Sequence, residues 1–125
     1  MCRITQKGKL LKKNYSLFKN ASYAIEGVLT LLKERAFQLE LLFIIPLLIL
    51  LFFLDLTPAQ KSVMAMSLFV ILIAEALNTA VEYTVDLVTR EWREFAKRAK
   101  DTASAGVFFS LLQAAAVWGI NLFFS

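Results

Sequence analysis

Between residues 11 and 33, apolar side chains recur at steps of three and four: Leu11, Tyr15, Phe18, Ile25, Leu29 and Leu32, with Ser22 in the same series. That spacing predicts an amphipathic helix over 11–33, with Lys12, Lys13, Lys19 and Glu26 mostly off the stripe. Residues 1–13 are basic and read as frayed. A basic amphipathic helix beside membrane spans lies in the interface plane; the alternative is a helix packed on a soluble core. The charged triplet Lys33, Glu34 and Arg35 ends it. The periodicity then gives way to a continuous apolar run at 36–54, AFQLELLFIIPLLILLFFL, which is long enough to span a bilayer. Pro46 should kink it mildly, as membrane helices tolerate. Asp55-Leu56-Thr57-Pro58 reads as a turn, with Thr57 as N-cap and Pro58 at the first helical position. A second apolar helix is expected at 59–88 and a third, free of charge, at 102–125. The charged stretch REWREFAKRAK, 90–100, would link them. The expected fold is an all-α membrane protein, one domain over 1–125, with a surface helix and three transmembrane helices.

Basic residues crowd the segment before the first span and the second link. The first link holds only Lys61, and the C-terminal end holds none. The positive-inside rule then places the N-terminus in the cytoplasm and the C-terminus outside. At about 1.5 Å per residue, 59–88 is about 45 Å long, longer than a hydrocarbon core of about 30 Å. Its C-terminal turns, carrying Glu82 and Asp86, should therefore emerge toward the cytoplasm, where ATP is available.

Composition narrows the chemistry. Hydrophobic residues make up 58% of the chain, above the usual soluble range of about 45–50%. The net charge of +4 is accounted for by topology and calls for no nucleic acid. A single Cys excludes an intramolecular disulfide, and the absence of His excludes a catalytic or metal-ligating imidazole. No cleavable signal peptide is expected, because the first twenty residues lack an apolar core. There is no Walker loop, no GxGxxG and no GxSxG. Any phosphate chemistry must use carboxylates, a metal and scattered cations.

The informative stretch is EALNTAVEYTVDLVTR, 75–90. At helical spacing Glu75, Asn78, Glu82 and Asp86 share an arc of about 80°, while Tyr83 and its apolar neighbours cover the other faces. Carboxylates on an otherwise buried helix are costly unless paired, hydrated or bound to a cation. Glu34, at similar membrane depth to Glu82, could share a Mg²⁺ with it. Arg93, Arg98 and Lys100 could bind nucleotide phosphates. Glu75, about two turns deeper than Glu82, is placed to accept a proton from a lipid hydroxyl. Each group also has a plainer reading: Glu34 pairing with Lys33 or Arg35, Lys100 and Asp101 starting a solvated helix, Asn78 as an interhelical hydrogen-bonding group, and Trp118 as an interfacial aromatic.

EALNTAVEYTVD at 75–86 and AKDTASAGV at 99–107 resemble the bacterial integral-membrane diacylglycerol kinase family, which also contains undecaprenol kinases. The resemblance covers nearly the whole chain, including ERAF at 34–37. It implies a homotrimer with sites shared between subunits in the bacterial inner membrane. It also implies Mg²⁺- and ATP-dependent phosphorylation of a lipid alcohol, with diacylglycerol giving phosphatidic acid. By position, Glu75 matches the catalytic base and Asn78 an essential amide. Glu34 and Glu82 match carboxylates that hold metal and nucleotide. Glu91, Trp92, Arg93, Lys100 and Asp101 match the nucleotide-contacting stretch, and Glu40, Glu75, Ser104 and Trp118 fall on lipid-side positions. The segment between Gly27 and Glu34 is one residue shorter than the family pattern, so the family's N-terminal contacts are not carried over. Phe53 stands where a Trp is often found.

Undecaprenol kinases tend to carry Ala where Ser104 stands, so Ser104 and Trp118 favour diacylglycerol over undecaprenol. A competing class is a non-enzymatic ion-coupled membrane subunit, since intramembrane carboxylates also relay protons or bind Na⁺. Such a site should sit near the midplane with polar groups continuing to both sides. Here they run toward the cytoplasm.

Overall fold

The computed structural model describes residues 2–4, 10–12 and 17–124. They form strands β1 (Cys2–Ile4) and β2 (Leu10–Lys12) and helices α1 (Leu17–Leu31), α2 (Arg35–Leu50), α3 (Pro58–Val88) and α4 (Glu94–Phe123). The chain divides into two compact units at residues 30 and 31.

In the first unit, β1 and β2 pair antiparallel with Arg3 opposite Leu11. At 2–4 and 10–12 this differs from the frayed terminus expected; the rest of 1–13 lies outside the described residues. The pairing gives backbone groups of both segments partners and takes Leu11 out of the helical stripe. The amphipathic helix therefore runs over Leu17–Leu31 rather than 11–33; Tyr15 lies outside the described residues. No residue of α1 is buried.

In the second unit, the chain turns sharply into α2. The Glu34 N–H donates to the Leu31 carbonyl at 2.9 Å, and Gln38 Nε2 reaches back to the Leu32 carbonyl at 2.7 Å. Helix α2 contains Pro46 and ends at Leu50, earlier than the expected 54. Phe52 and Phe53 donate to Ile49 and Leu50, three residues back, which tightens the helix end into a turn. The 16 residues of α2 cover about 24 Å, and only α3 and α4 are long and apolar enough, among the described residues, to cross a membrane. The start of α3 follows the sequence closely. Thr57 Oγ1 accepts from the Gln60 N–H at 3.2 Å and Gln60 Oε1 accepts from the Thr57 N–H at 3.0 Å, a reciprocal cap with Pro58 directly after it.

Helix α4 begins at Glu94, not 102, so the charged link contracts to 89–93. Glu94–Arg98 (2.8 Å) and Lys97–Asp101 (2.5 Å) form ion pairs one turn apart. Such pairs support a helix through a stretch that charge alone marks as a connection.

Within the second unit, α2, α3 and α4 pack through one stripe each. On α3 the buried positions are Met64, Ser67, Leu68, Ile71, Glu75, Asn78 and Thr79, stepping by threes and fours. On α2 they are Phe37, Glu40 and Ile44. Ile44, Leu68, Ile71 and Ala114 form the core, with Leu47, Leu48, Leu72 and Trp118 packed against it. Helix α4 is tied to α3 by polar side chains as well. Gln113 Nε2 donates to the Ser67 carbonyl at 2.7 Å, and Trp118 Nε1 to the Met64 carbonyl at 3.2 Å. The opposite faces carry exposed large apolar groups, including Leu42, Phe69, Ile73, Phe109 and Phe123. Such extended apolar surface marks a lipid or protein contact.

Candidate active site

Glu75, Asn78 and Thr79 lie on the buried packing stripe of α3, and Glu82 and Asp86 are half-buried beyond them. Glu34, Ala36, Glu75, Asn78, Thr79, Glu82, Ser104 and Val107 line one pocket of about 220 Å³. Five expected site residues, Glu34, Glu75, Asn78, Glu82 and Ser104, thus converge from three helices. Glu75 is 5% exposed, deep in the packed stripe. Its carboxyl lies beside the Asn78 amide and the carboxyl of Glu40, which reaches it from α2. Glu40 Oε2 is buried without a partner.

Asn78 Nδ2 donates to Glu82 Oε1 at 3.2 Å, one turn along α3. Its Oδ1 is buried and unpartnered. A buried orphan acceptor is costly, and this one belongs to a residue lining the same pocket as the carboxylates. Glu34 occupies the N-cap position of α2 yet makes no cap with its side chain. Instead it accepts a hydrogen bond from the Tyr83 hydroxyl across the gap to α3.

One turn further along α3 a second pocket, about 310 Å³, is lined by Val85, Thr89, Arg90, Glu91, Trp92, Arg93, Ala96, Lys97, Lys100 and Asp101. It gathers Glu91, Trp92, Arg93, Lys100 and Asp101 but not Arg98, which pairs with Glu94 instead, and four of its lining groups are cationic. Lys100 Nζ donates to Asp86 Oδ1 at 2.7 Å, tying α4 to α3 at the edge of the cleft. The Arg93–Glu91 pair at 3.2 Å is well exposed, so it contributes little to stability. Trp118 is not brought to either pocket. It lines an apolar crevice with Phe43, Leu68, Ile71 and Ala114.

Two features were not found from the sequence. In the sequence Tyr83 only continues the helix, and its contact with Glu34 spans 49 positions. Thr79, buried at the back of the pocket, was likewise passed over; its place one residue after Asn78 was the only signal.

The protein is therefore a helical protein with two helices long and apolar enough to cross a membrane, and with an acidic pocket and a basic cleft adjoining along one of them. Comparison with known proteins sharpens that class. The family profile described as prokaryotic diacylglycerol kinase matches residues 22–122. A diacylglycerol kinase of Haemophilus influenzae is 38% identical over 109 residues, covering 86% of this chain and 92% of that protein. The diacylglycerol kinase of Pseudomonas aeruginosa is 34% identical over 101 residues, 80% of this chain and 82% of its own length. That of Escherichia coli K12 is 30% identical over 107 residues, 85% and 88%. The chain belongs to the prokaryotic diacylglycerol kinase family. It is an enzyme of the kinase class, a class that uses ATP.

Proposed function

We propose that the chain transfers the γ-phosphoryl group of ATP to the hydroxyl of diacylglycerol, yielding phosphatidic acid and ADP, at the cytoplasmic face of a bacterial inner membrane. The observation that carries this reading is the convergence of Glu34, Glu75, Asn78, Glu82 and Ser104 on one pocket beside a cationic cleft. The named activity of the relatives supports the substrate assignment.

Glu75 is the base. It accepts the hydroxyl proton as the lipid oxygen bonds to the γ-phosphorus; the bond from that phosphorus to the bridging oxygen breaks, and its electron pair leaves with ADP. Phosphoryl transfer needs mainly alignment and charge neutralisation. Asn78 holds Glu82 in place through its amide N–H. Arg93 and Lys100 bind phosphates from the cleft, with Glu91, Trp92 and Asp101 shaping the nucleotide end. Ser104 and Glu40 bound the lipid side, with Trp118 deeper along the same helix stripe.

The donor set fits Mg²⁺. Glu34, Glu82 and the unpartnered Asn78 Oδ1 are hard oxygen groups lining one pocket, and among the described residues no three acids come close enough together to hold an ion by themselves. Mg²⁺ suits such a sparse site because it is usually held by one or two carboxylates plus substrate phosphates. Glu34 and Glu82 would hold it, and when bound it would neutralise charge on the phosphates.

The 220 Å³ pocket falls below the range of about 300–1,000 Å³ typical of small-molecule sites. A homotrimer in which a neighbouring subunit completes each site accounts for this and for the exposed apolar faces. In the proposed topology α2 with its trailing apolar turn, α3 and α4 all span, the N-terminus lies in the cytoplasm and the C-terminus outside, and 1–125 acts as one kinase domain. Undecaprenol is the second acceptor to consider; Ser104 at the pocket favours diacylglycerol. A non-enzymatic ion-coupled subunit is disfavoured by the family match.

The test is purified protein in lipid micelles with labelled ATP and Mg²⁺, given diacylglycerol or undecaprenol in parallel. Preferential labelling of diacylglycerol is expected. Faster labelling of undecaprenol would overturn the acceptor assignment.

A further inference from the structure

Glu34 stands where a helix N-cap belongs, and its backbone is fixed there. Its N–H is bonded to the Leu31 carbonyl, and its carbonyl accepts from the Gln38 N–H at 3.0 Å. A short aspartate at this position turns its carboxylate back onto the first free N–H groups of its own helix. Glu34 forgoes that bond. Its Oε1 instead accepts from the Tyr83 hydroxyl on α3. Among the described residues, no other side chain donates to it.

Tyr83 directly follows Glu82, so a single turn of α3 presents two neighbouring side chains with distinct tasks. Glu82 is held on one oxygen by Asn78. Glu34 is held on one oxygen by Tyr83. Each carboxylate thereby keeps its second oxygen clear of protein donors while its orientation is set by the first. Outer partners of this kind fix the direction of a metal-facing group, and their loss typically costs about 10–100-fold in metal affinity.

We propose that Tyr83 is a positioning residue for the cation site. Its hydroxyl draws the Glu34 carboxylate off the α2 terminus and aims its free oxygen into the pocket shared with Glu82. This deepens the reading of Glu34 and Glu82 as the cation-holding pair and rests on it. The Tyr83 ring is 48% exposed, so Tyr83→Phe removes the hydroxyl without opening a core cavity.

The experiment uses the full chain in lipid micelles, with Mn²⁺ as a paramagnetic probe and a non-hydrolysable ATP analogue. Free Mn²⁺ is read by electron paramagnetic resonance for the wild type, Tyr83→Phe, Glu34→Gln and the double variant. Circular dichroism checks helix content. Tyr83→Phe should weaken Mn²⁺ binding about 10-fold, and the double variant should bind no worse than Glu34→Gln alone. In turnover assays Tyr83→Phe should raise the apparent KM for Mg²⁺ and leave that for the lipid unchanged. Wild-type Mn²⁺ affinity in Tyr83→Phe, beside a clear loss in Glu34→Gln, overturns the positioning role alone. A full additional loss in the double variant overturns it too. Wild-type affinity in Glu34→Gln removes the cation-site reading, and the role of Tyr83 with it.

Discussion

Glu75→Gln separates chemistry from architecture more cleanly than any other change at the site. The substitution keeps size and shape but removes a proton acceptor. Loss of a general base commonly slows a reaction by about 10²–10⁴-fold, equivalent to about 2.7–5.4 kcal/mol of barrier. The structural effect has the opposite sign. Glu75 is almost fully buried, and the carboxyl it faces, Glu40, has an oxygen with no partner. An amide at position 75 brings N–H donors to that carboxyl. A hydrogen bond supplied to a buried orphan acceptor is worth about 1–3 kcal/mol. The variant should therefore be as resistant to unfolding as the wild type, or more so, while losing at least about 99% of its turnover. Both are measurable on one preparation: initial rates with saturating diacylglycerol and Mg-ATP, and loss of helical signal on titrating a denaturing detergent. Retention of more than half the activity would remove Glu75 as the base. Turnover lost in parallel with stability would show that the residue acts in packing rather than proton transfer.

Mixing Glu75→Gln chains with Glu34→Ala chains should restore part of the activity if neighbouring subunits complete each site. No recovery in trimers confirmed by cross-linking would place both residues in one subunit's site. Lys100→Ala should raise the apparent KM for ATP more than that for lipid, because Lys100 lines the cationic cleft and not the acidic pocket. Asp86→Asn should leave the ammonium free and affect ATP use far less. Equal losses in the two variants would mean that the Lys100–Asp86 pair matters as a helix tie rather than as a phosphate grip.

The parts legible in the sequence are those set by spacing within one helix. Glu75, Asn78 and Glu82 fall on one face by periodicity alone, and that face is the packing stripe of α3. Thr57 and Pro58 announced the start of α3 because a cap is a local motif. What was not legible depends on two helices at once. Nothing near Glu40 shows that its carboxyl meets that of Glu75, and nothing near Tyr83 shows that it reaches Glu34. The early start of α4 had a different cause. Charge density marks 90–100 as a connection, whereas the one-turn spacing of Glu94 with Arg98 and Lys97 with Asp101 lets the same residues support a helix. At α2, hydropathy ran on past Leu50, but the backbone turned at Phe52 and Phe53.

The unbroken course of α4 limits how this sequence can drift in length. Lys100 bonds Asp86, Ser104 faces the pocket, Gln113 bonds Ser67 and Trp118 bonds Met64. These anchors lie along one continuous helix. Inserting or deleting a single residue between Lys100 and Trp118 rotates everything beyond it by about 100° and swings the anchors on one side of the change off α3. Point changes can be absorbed one at a time, but an insertion would have to arrive as a near-whole turn. Length variation is left to the connection between α2 and the Thr57 cap, since 89–93 walls the cationic cleft.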